Sequence, residues 1–551
     1  MAAPESPADS ELVEKITEQV EEWSSNSNEA LHITLQRQTD SGPVKLAIFH
    51  PEFTYPIYGE EESLFGYKGL KIDLTFAAHN LRPTVKITYD ERFKQMGEVK
   101  PSDVEEPLRE FLPASAFSSG LQLQAQEETP TEPFRPPGTL MHSYTNSEGH
   151  KFEIWCSSLA DPATRTMLNY MQILVPLFIE GGSLIDLDDP QWTIERWKVF
   201  LLYQVHDSSN SSPTESPYAL LGYSTSYRIF ALPRPTMAES SSSTPAPYTG
   251  HVLESDLISP PYPQATPLDL PSRERISQFL ILPPYQGSGH GRQLYRTMYS
   301  HLTSAPNVLE LTVEDPNEAF DDLHDLCDLA HLRTIPAFAD LTINPNIPKE
   351  KLANGHYIPT DLIVPESLRT TLRTAAKLAQ RQFDRLVEMH TLSAIPPAHR
   401  STARITRREN SSADYDRMYY FWRLYVKQRL YVFNSDQLAQ LDRQERIERL
   451  EATVESVRVD YERLLALAEK WASYESVGDG EAGVGALGSG QRRRKRKIVD
   501  EDEDDDEGEG GIGDGVADAM LGATTTAADA AEDEVTASSN ERNGAKRQKK
   551  T

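Results

Sequence analysis

The stretch QGSGHGR, from Gln286 to Arg292, carries the residues whose spacing could do chemistry. Gly287, Gly289 and Gly291 follow the apolar run FLILPPY and precede a helix-like segment over residues 292–302. A loop that turns from strand into helix aims successive backbone N–H groups at the helix start, and such a nest attracts phosphate. Three phosphate-binding patterns compete. A P-loop needs G-x-x-x-x-G-K-[ST], and no Lys-Ser or Lys-Thr follows these glycines. The dinucleotide fingerprint G-x-G-x-x-G, begun at Gly287, needs a third glycine where Arg292 stands. The form Q-x-x-G-x-G matches Gln286, Gly289 and Gly291. Glycines here let the backbone approach a pyrophosphate with no Cβ in the way, and Arg292 adds charge at the rim. The pattern requires no metal. It fits a pyrophosphate lying along a splayed strand, as in coenzyme A; a glycine-rich turn without a ligand is the alternative.

Other residues bear on that choice. Pro283 and Pro284 cannot donate ladder hydrogen bonds, so strand pairing is expected to end near Pro283. A strand leaving its neighbour exposes backbone groups that an amide-rich pantetheine arm can use by adding like a strand. Glu314 and Asp315 close LELTVEDP; alone, such an acid pair reads as a solvated loop cap. Glu180 ends LVPLFIE, where an acid is costly to bury without a task or a partner. Cys156 and Cys327 are the 2 cysteines, too few for a disulfide framework, and both read as structural.

Alternating apolar residues must supply the strands that hold these groups. LHITLQR, GLKIDLTFAA and TVKITYDERF read as strands of an N-terminal mixed region. HKFEIWCSSL, RWKVFLLYQV, ALLGYSTSYRIFALP, RISQFLILPPYQ and NVLELTVEDP read as strands of a second region. Residues 167–180 form one mostly apolar helix-like run. The order strand, glycine loop, helix, strand around residues 276–316 is βαβ-like. After Pro365 the pattern turns helical. SLRTTLRTAAKLAQRQFDRLVEMH reads as one helix, and a second over residues 436–471 carries a stripe of Leu450, Val454, Val457, Tyr461, Leu464 and Ala468. The Gln- and Pro-rich residues 123–138 read as a linker, and the Ser/Pro-rich stretch between Pro235 and Arg275 as a mobile insertion.

Composition bounds the function. The 551 residues suffice for two or three domains, and the formal net charge of -29 disfavours direct binding to a nucleic-acid backbone and favours a basic partner. No apolar run approaches the ~18 residues needed to cross a bilayer, and the N-terminus has no secretory signal pattern. The expectation is a soluble intracellular protein. The tail concentrates charge: RRRKRK at residues 492–497, unbroken acids at 500–507, and KRQKK at 546–550. The basic clusters read as nuclear-import signals, which points to nucleus and cytoplasm.

The Q-x-x-G-x-G loop resembles that of the GNAT superfamily of N-acetyltransferases. The longer stretches FLILPPYQGSGHGRQLY, ELTVEDPNEAFDDL, GEEESLFGYKGLKI and FIEGGSLIDLDDPQW resemble the catalytic subunits of type B histone acetyltransferases, which acetylate newly made histones before chromatin assembly. The resemblance covers about residues 30–390. It implies an α+β fold: a flexible segment 1–29, a mixed α/β domain 30–135, a GNAT domain 136–335 with a disordered insertion 236–274, a helical domain 336–475 and a disordered tail 476–551. It implies acetyl-CoA as cosubstrate without a metal, the histone H-4 tail as acceptor and a WD-repeat histone-binding partner subunit. Coenzyme contacts then fall on Phe279, Leu280 and Ile281, on Gln286, Gly287, Ser288, Gly289, His290, Gly291 and Arg292, and on Asn317 and Phe320. A coenzyme-contacting arginine of some members is Leu326 here. The resemblance puts the general base at Glu314, with Asp315 and Glu180 beside it. Tail contacts map to Glu60, Glu61 and Glu62 and to Tyr227, Arg228 and Ile229; the acids suit a basic peptide. A histone-binding scaffold without catalysis and an acetyltransferase for another amine are the rival readings. The intact loop and Glu314 speak against the first, and the acidic grip against a small-amine acceptor.

Overall fold

The computed structural model describes residues 21–39, 42–95, 97, 99–117, 134–206, 216–231, 267–352, 358–401 and 411–478. The basic clusters and acidic run of the tail, the N-terminal residues 1–20, most of the expected linker and most of the Ser/Pro insertion lie outside the described residues. Two compact units meet in sequence between Glu314 and Asp315.

The first unit contains two main sheets. One is built from β1 (Leu31–Thr39), β2 (Gly42–Phe49), β3 (Lys71–Ala77) and β4 (Pro83–Thr88), in the order β2-β1-β3-β4. Its β1–β3 pair is parallel and the others are antiparallel. Leu31, Ile33 and Leu35 on β1 and Ile72, Leu74 and Phe76 on β3 are buried, the period of two that puts one face of a strand in a core. The second sheet has six strands: β5 (Thr139–Thr145), β6 (Lys151–Ser158), β7 (Trp197–Val205), β8 (Tyr218–Phe230), β9 (Ser272–Ile281) and β10 (Val308–Val313). They lie in the order β10-β9-β8-β7-β6-β5. Among the described strands of this sheet, only the β9–β10 pair is parallel. β9 begins at Ser272, so Ser272, Arg273 and Glu274 belong to a strand rather than to the expected insertion.

Between β6 and β7 the apolar run expected as one helix is two, α1 (Pro162–Met171) and α2 (Leu174–Phe178). Pro176 explains the break. In a continuous helix its ring would clash with the Gln172 carbonyl, and it has no N–H to donate to it. Helix α3 (His290–Ser304) makes the crossover from β9 to β10 and buries Leu294, Tyr295, Met298 and Leu302 on one stripe. The βαβ pattern in the sequence is therefore a true parallel crossover.

The second unit is helical: α4 (Glu318–Leu332), α5 (Glu366–Ala376), α6 (Gln380–Ser393), α7 (Asp414–Phe433) and α8 (Arg443–Gly478) are its longer helices. The segment expected as one helix splits into α5 and α6. Lys377 adopts φ +52°, and the Leu378 N–H turns back to the Arg373 carbonyl, a left-handed cap made without glycine. On α8 the expected stripe is real, with Val454, Val457, Tyr461 and Leu464 buried. Helix α7 had no sequence signal, because its apolar residues surround the axis instead of forming a stripe; Tyr419, Phe421 and Trp422 are all buried. Among the described residues no helix is long and apolar enough to cross a membrane.

Candidate active site

The parting of β9 from β10 organises the site. Their parallel register ends with Ile276 opposite Val313, and the Glu314 N–H adds one more rung to the Ile276 carbonyl at 2.9 Å. Beyond it, β9 continues along β8, with Phe279 opposite Ser224, Leu280 opposite Tyr223 and Ile281 opposite Gly222. The Leu282 N–H then bonds the Leu221 carbonyl at 2.9 Å, and Pro283 follows. The prolines thus end the β8 ladder, as their missing N–H requires, but the β10 ladder ends several residues earlier than Pro283. The cause is a bulge. Between the pairs Ser224–Phe279 and Ser226–Ile276, Ser277 and Gln278 stand opposite Thr225 alone. Side chains replace the lost rungs: Thr225 Oγ1 accepts from the Gln278 N–H at 3.1 Å, and Ser224 Oγ donates to the Gln278 carbonyl at 2.6 Å. A bulge bends and twists its strand and re-aims side chains.

Both bulge residues reach acidic segments. Ser277 Oγ donates to Glu314 Oε2 at 2.5 Å. Gln278 Nε2 donates to the Ser183 carbonyl at 2.9 Å, so the turn after Glu180 is tied to the neighbouring residue of the same strand. Glu314 is half-buried, and among the described residues its Oε1 accepts no hydrogen bond. Glu180 is exposed at the end of α2, which removes the expectation that it is an acid under desolvation strain. Asp315 opens the second unit, exposed and at φ +33°. A non-glycine residue there is strained, and such strain gathers at functional positions.

At the other end of this segment lies the glycine loop. Residues 283–285 make one tight turn, and Gln286 Nε2 donates back to the Ile281 carbonyl at 2.8 Å, closing the loop on its strand. Gly287 has φ +74° and Gly289 φ +81°, a region that favours glycine. A Cβ on Gly287 would meet nothing within 4 Å, and one on Gly289 would meet only Arg292 Nη2 at 3.9 Å, so the space above the loop is open. Ser288 is exposed beside it. Gly289 precedes α3 without a side-chain cap, and the first bond of the helix runs from the Gln293 N–H to the Gly289 carbonyl at 3.2 Å. The N–H groups of His290 and Gly291 lie ahead of that bond, at the positive end of the helix dipole. The His290 ring turns the other way. It is buried, hydrogen-bonded through Nδ1 to the Tyr144 hydroxyl at 2.7 Å and packed 4.5 Å from the Phe152 ring. Burial lowers its pKa, so it stays neutral and anchors the loop to β5 and β6, while only its main chain can face a ligand.

The residues matched to tail binding divide. Glu60 and Glu61 are exposed on a turn. Glu62, at φ +47°, is committed inward: its carboxylate accepts from Asn28 Nδ2 at 2.6 Å and from the Thr54 N–H at 2.8 Å. Tyr227 packs on Trp197 with ring centroids 4.6 Å apart, and Ile229 is half-buried beside it in the chain. The Arg228 guanidinium is also committed inward. It donates through Nε to buried Glu274 at 2.8 Å and through Nη1 to the Leu268 carbonyl at 2.7 Å, while Lys198 reaches the same Glu274 oxygen at 2.9 Å. In the second unit, Asn317 caps α4 by accepting from the Phe320 N–H at 2.9 Å, and Leu326 is buried in that helix. Sequence reasoning missed Ser277, Gln278 and Thr225, since nothing local marks a bulge inside an apolar strand. Among the described residues no group of His, Cys, Asp or Glu is placed to hold a metal ion.

Residues 23–180 match the family described as "Histone acetyl transferase HAT1 N-terminus", and residues 351–394 match "Fungal HAT1, C-terminal". The histone acetyltransferase type B catalytic subunit of Aspergillus oryzae is 40% identical over 454 residues, covering 81% of this chain and 86% of that protein. Its counterpart in Pyricularia oryzae is 41% identical over 457 residues, covering 81% and 92%. This chain belongs to the type B histone acetyltransferase catalytic subunits. It is an acetyl-CoA-dependent histone acetyltransferase with the α+β, GNAT-type fold of that family. The loop fits the coenzyme's pyrophosphate: two glycines with open space above them and an uncapped helix start suit a doubly charged group.

Proposed function

We propose that this type B histone acetyltransferase uses Glu314 as general base to acetylate lysines of newly synthesised, non-nucleosomal histone H-4, with a WD-repeat histone-binding subunit as partner and both nucleus and cytoplasm as its compartments. The observation that carries the reading is the half-buried Glu314 carboxylate at the mouth of the parted strands, one oxygen held and the other open. A lysine side chain has an ordinary pKa of about 10.4 and arrives as ammonium at neutral pH, so a proton must leave before the nitrogen can attack. Acetyl-CoA supplies the activated thioester whose acetyl group passes to that nitrogen. The first turn of α3 with Gly287 and Gly289 holds the pyrophosphate, and Gln286 keeps the loop closed on β9. Residues 277–281, parted from β10, offer a strand edge to the pantetheine amides. Glu314 Oε1 takes the lysine proton. Glu60 and Glu61 draw the basic tail, and Tyr227 on Trp197 gives it a flat surface to lie on.

Labelled acetyl-CoA and an H-4 tail peptide test this directly. Glu314→Gln is expected to lower kcat by about 10²–10⁴-fold at neutral pH, the usual yield of a positioned base. The loss should shrink at higher pH, where more of the amine is free. Unchanged turnover would remove Glu314 from the role.

A further inference from the structure

We propose that Ser277 is a positioning residue for acetyl transfer, its hydroxyl fixing the Glu314 carboxylate so that Oε1 alone is presented to the acceptor amine. The inference rests on the reading of Glu314 as base, and goes beyond it by naming what aims that base.

Glu314 is gripped at both ends by consecutive residues of β9. Its N–H is held by the Ile276 carbonyl at 2.9 Å, and its side chain by Ser277 Oγ at 2.5 Å. A glutamate beyond the end of a strand has three rotatable side-chain bonds and would otherwise sample several carboxylate positions. With the backbone and Oε2 both fixed, one oxygen is left to act. The hydroxyl has a single proton to donate, and its hydrogen bond to Glu314 is its only one among the described residues. Bonds of this kind, with a charged acceptor, are the strong ones.

The bulge makes the grip possible. In regular β-structure Ser277 would take its place in the alternation and pair with β8 like its neighbours. Here Ser277 and Gln278 share one partner, Thr225, and the backbone of Gln278 is held by the hydroxyls of Thr225 and Ser224. Those contacts pin the bulge without using the Ser277 hydroxyl. The bulge therefore stands without that hydroxyl, whose role lies toward Glu314. A small hydroxyl at this position is the group that reaches a carboxylate one strand away while leaving space between the parted strands.

The test is a double-mutant cycle in the full chain, with kcat and the KM for acetyl-CoA measured on an H-4 tail peptide. Ser277→Ala should lower kcat about ten- to a hundredfold, the yield of a hydrogen bond to a charged group, with the KM for acetyl-CoA and the melting temperature close to wild type. Ser277→Thr, which keeps the hydroxyl, should recover most of the rate. In a Glu314→Gln background the same alanine should change kcat by less than about twofold, because the group it aims no longer works. A loss of equal size in both backgrounds would overturn the positioning role and leave the base intact. Wild-type kcat in Ser277→Ala would do the same. A fast Glu314→Gln enzyme would instead overturn the base reading, and with it any role for Ser277 exerted through Glu314. Should Ser277→Ala melt early, the threonine variant carries the comparison: a correctly folded Ser277→Thr enzyme as slow as Glu314→Gln would also overturn the inference.

Discussion

Glu388 in the helical unit and Glu314 in the sheet unit hold the same functional group in opposite ways. Glu388 is fully buried, and both oxygens are taken: Oε1 accepts from Arg429 Nε at 2.7 Å, and Oε2 from Arg429 Nη2 at 2.8 Å and the Tyr461 hydroxyl at 2.9 Å. Its own carbonyl accepts from Trp422 Nε1 at 2.9 Å, so it joins α6, α7 and α8. Glu314 has one oxygen held and one open. A saturated buried carboxylate has nothing left to react and works as a fastener. A half-held carboxylate has lost its freedom to wander but kept its capacity to take a proton. On the proposed reading of Glu314, the number of committed oxygens separates architecture from chemistry where residue type does not.

The sharpest way to break this distinction is to remove both acids and compare stability. Glu388→Ala leaves the half-buried Arg429 without its partner in the core, and losing one member of a buried pair costs about 3–5 kcal/mol. Denaturant unfolding should show that loss, with acetyl transfer falling only as folded protein is lost. Glu314→Ala gives up one hydrogen bond from a half-buried carboxylate and should cost about 1 kcal/mol, well below Glu388→Ala, yet be almost inactive. Equal destabilisation by the two would erase the contrast.

A smaller effect probes the fasteners by pH. His324 on α4 places Nε2 2.9 Å from Asp321 and Nδ1 3.8 Å from Asp328, with Asp325 beside them paired to Arg385 at 2.6 Å. Burial alone would lower the His324 pKa, but the hydrogen bond to Asp321 and the nearby charges of Asp325 and Asp328 outweigh it and push the group up to about 9. The folded value lies above the ordinary 6.5, so the stabilisation is complete below about pH 6.5 and is lost as pH rises through about 9. The loss should reach about 3 kcal/mol across that window. His324→Gln should flatten the profile of unfolding free energy over the same range; a wild-type profile already flat there would contradict the buried charge.

These contrasts also explain what was readable in the sequence. The turn of the glycine loop was readable because φ values of +74° and +81° leave a mark in residue type at Gly287 and Gly289. The strands were readable because apolar Leu31, Ile33 and Leu35 alternate with polar residues, as do Ile72, Leu74 and Phe76. Helix α7 was not, since apolar residues all round its axis set no period. The division of α5 from α6 was hidden because Lys377 takes the left-handed cap usually given to glycine. At the site, Glu314 is named from the resemblance, since its acid pair alone reads as a loop cap, and its hydrogen-bond partner is not named at all. Ser277 lies 37 positions away, and pairing the two requires the β9–β10 register and a bulge that no local pattern records. The same limit hid the inward turn of Arg228, whose partner Glu274 lies 46 positions on.

Glu62 is where the distinction reassigns a residue, and it gives the smallest effect. By sequence it belongs with Glu60 and Glu61 as an acidic grip on the tail. By geometry it belongs with Glu388, because Asn28 and Thr54 take its two oxygens. Glu62→Ala should therefore cost about 1–2 kcal/mol of stability, the usual loss when hydrogen bonds to a half-buried charged group are removed, while the KM for an H-4 tail peptide stays near wild type. The double variant Glu60→Gln with Glu61→Gln should do the reverse, unfolding like wild type and raising the peptide KM about two- to fivefold at low salt. That rise should fade near 0.5 M salt, because exposed charges are screened over distances shorter than about 5 Å there. If Glu62→Ala instead raised the peptide KM as much as the double variant and left stability alone, a carboxylate with both oxygens committed would have proved available to substrate, and the rule drawn from Glu388 and Glu314 would fail at its nearest test.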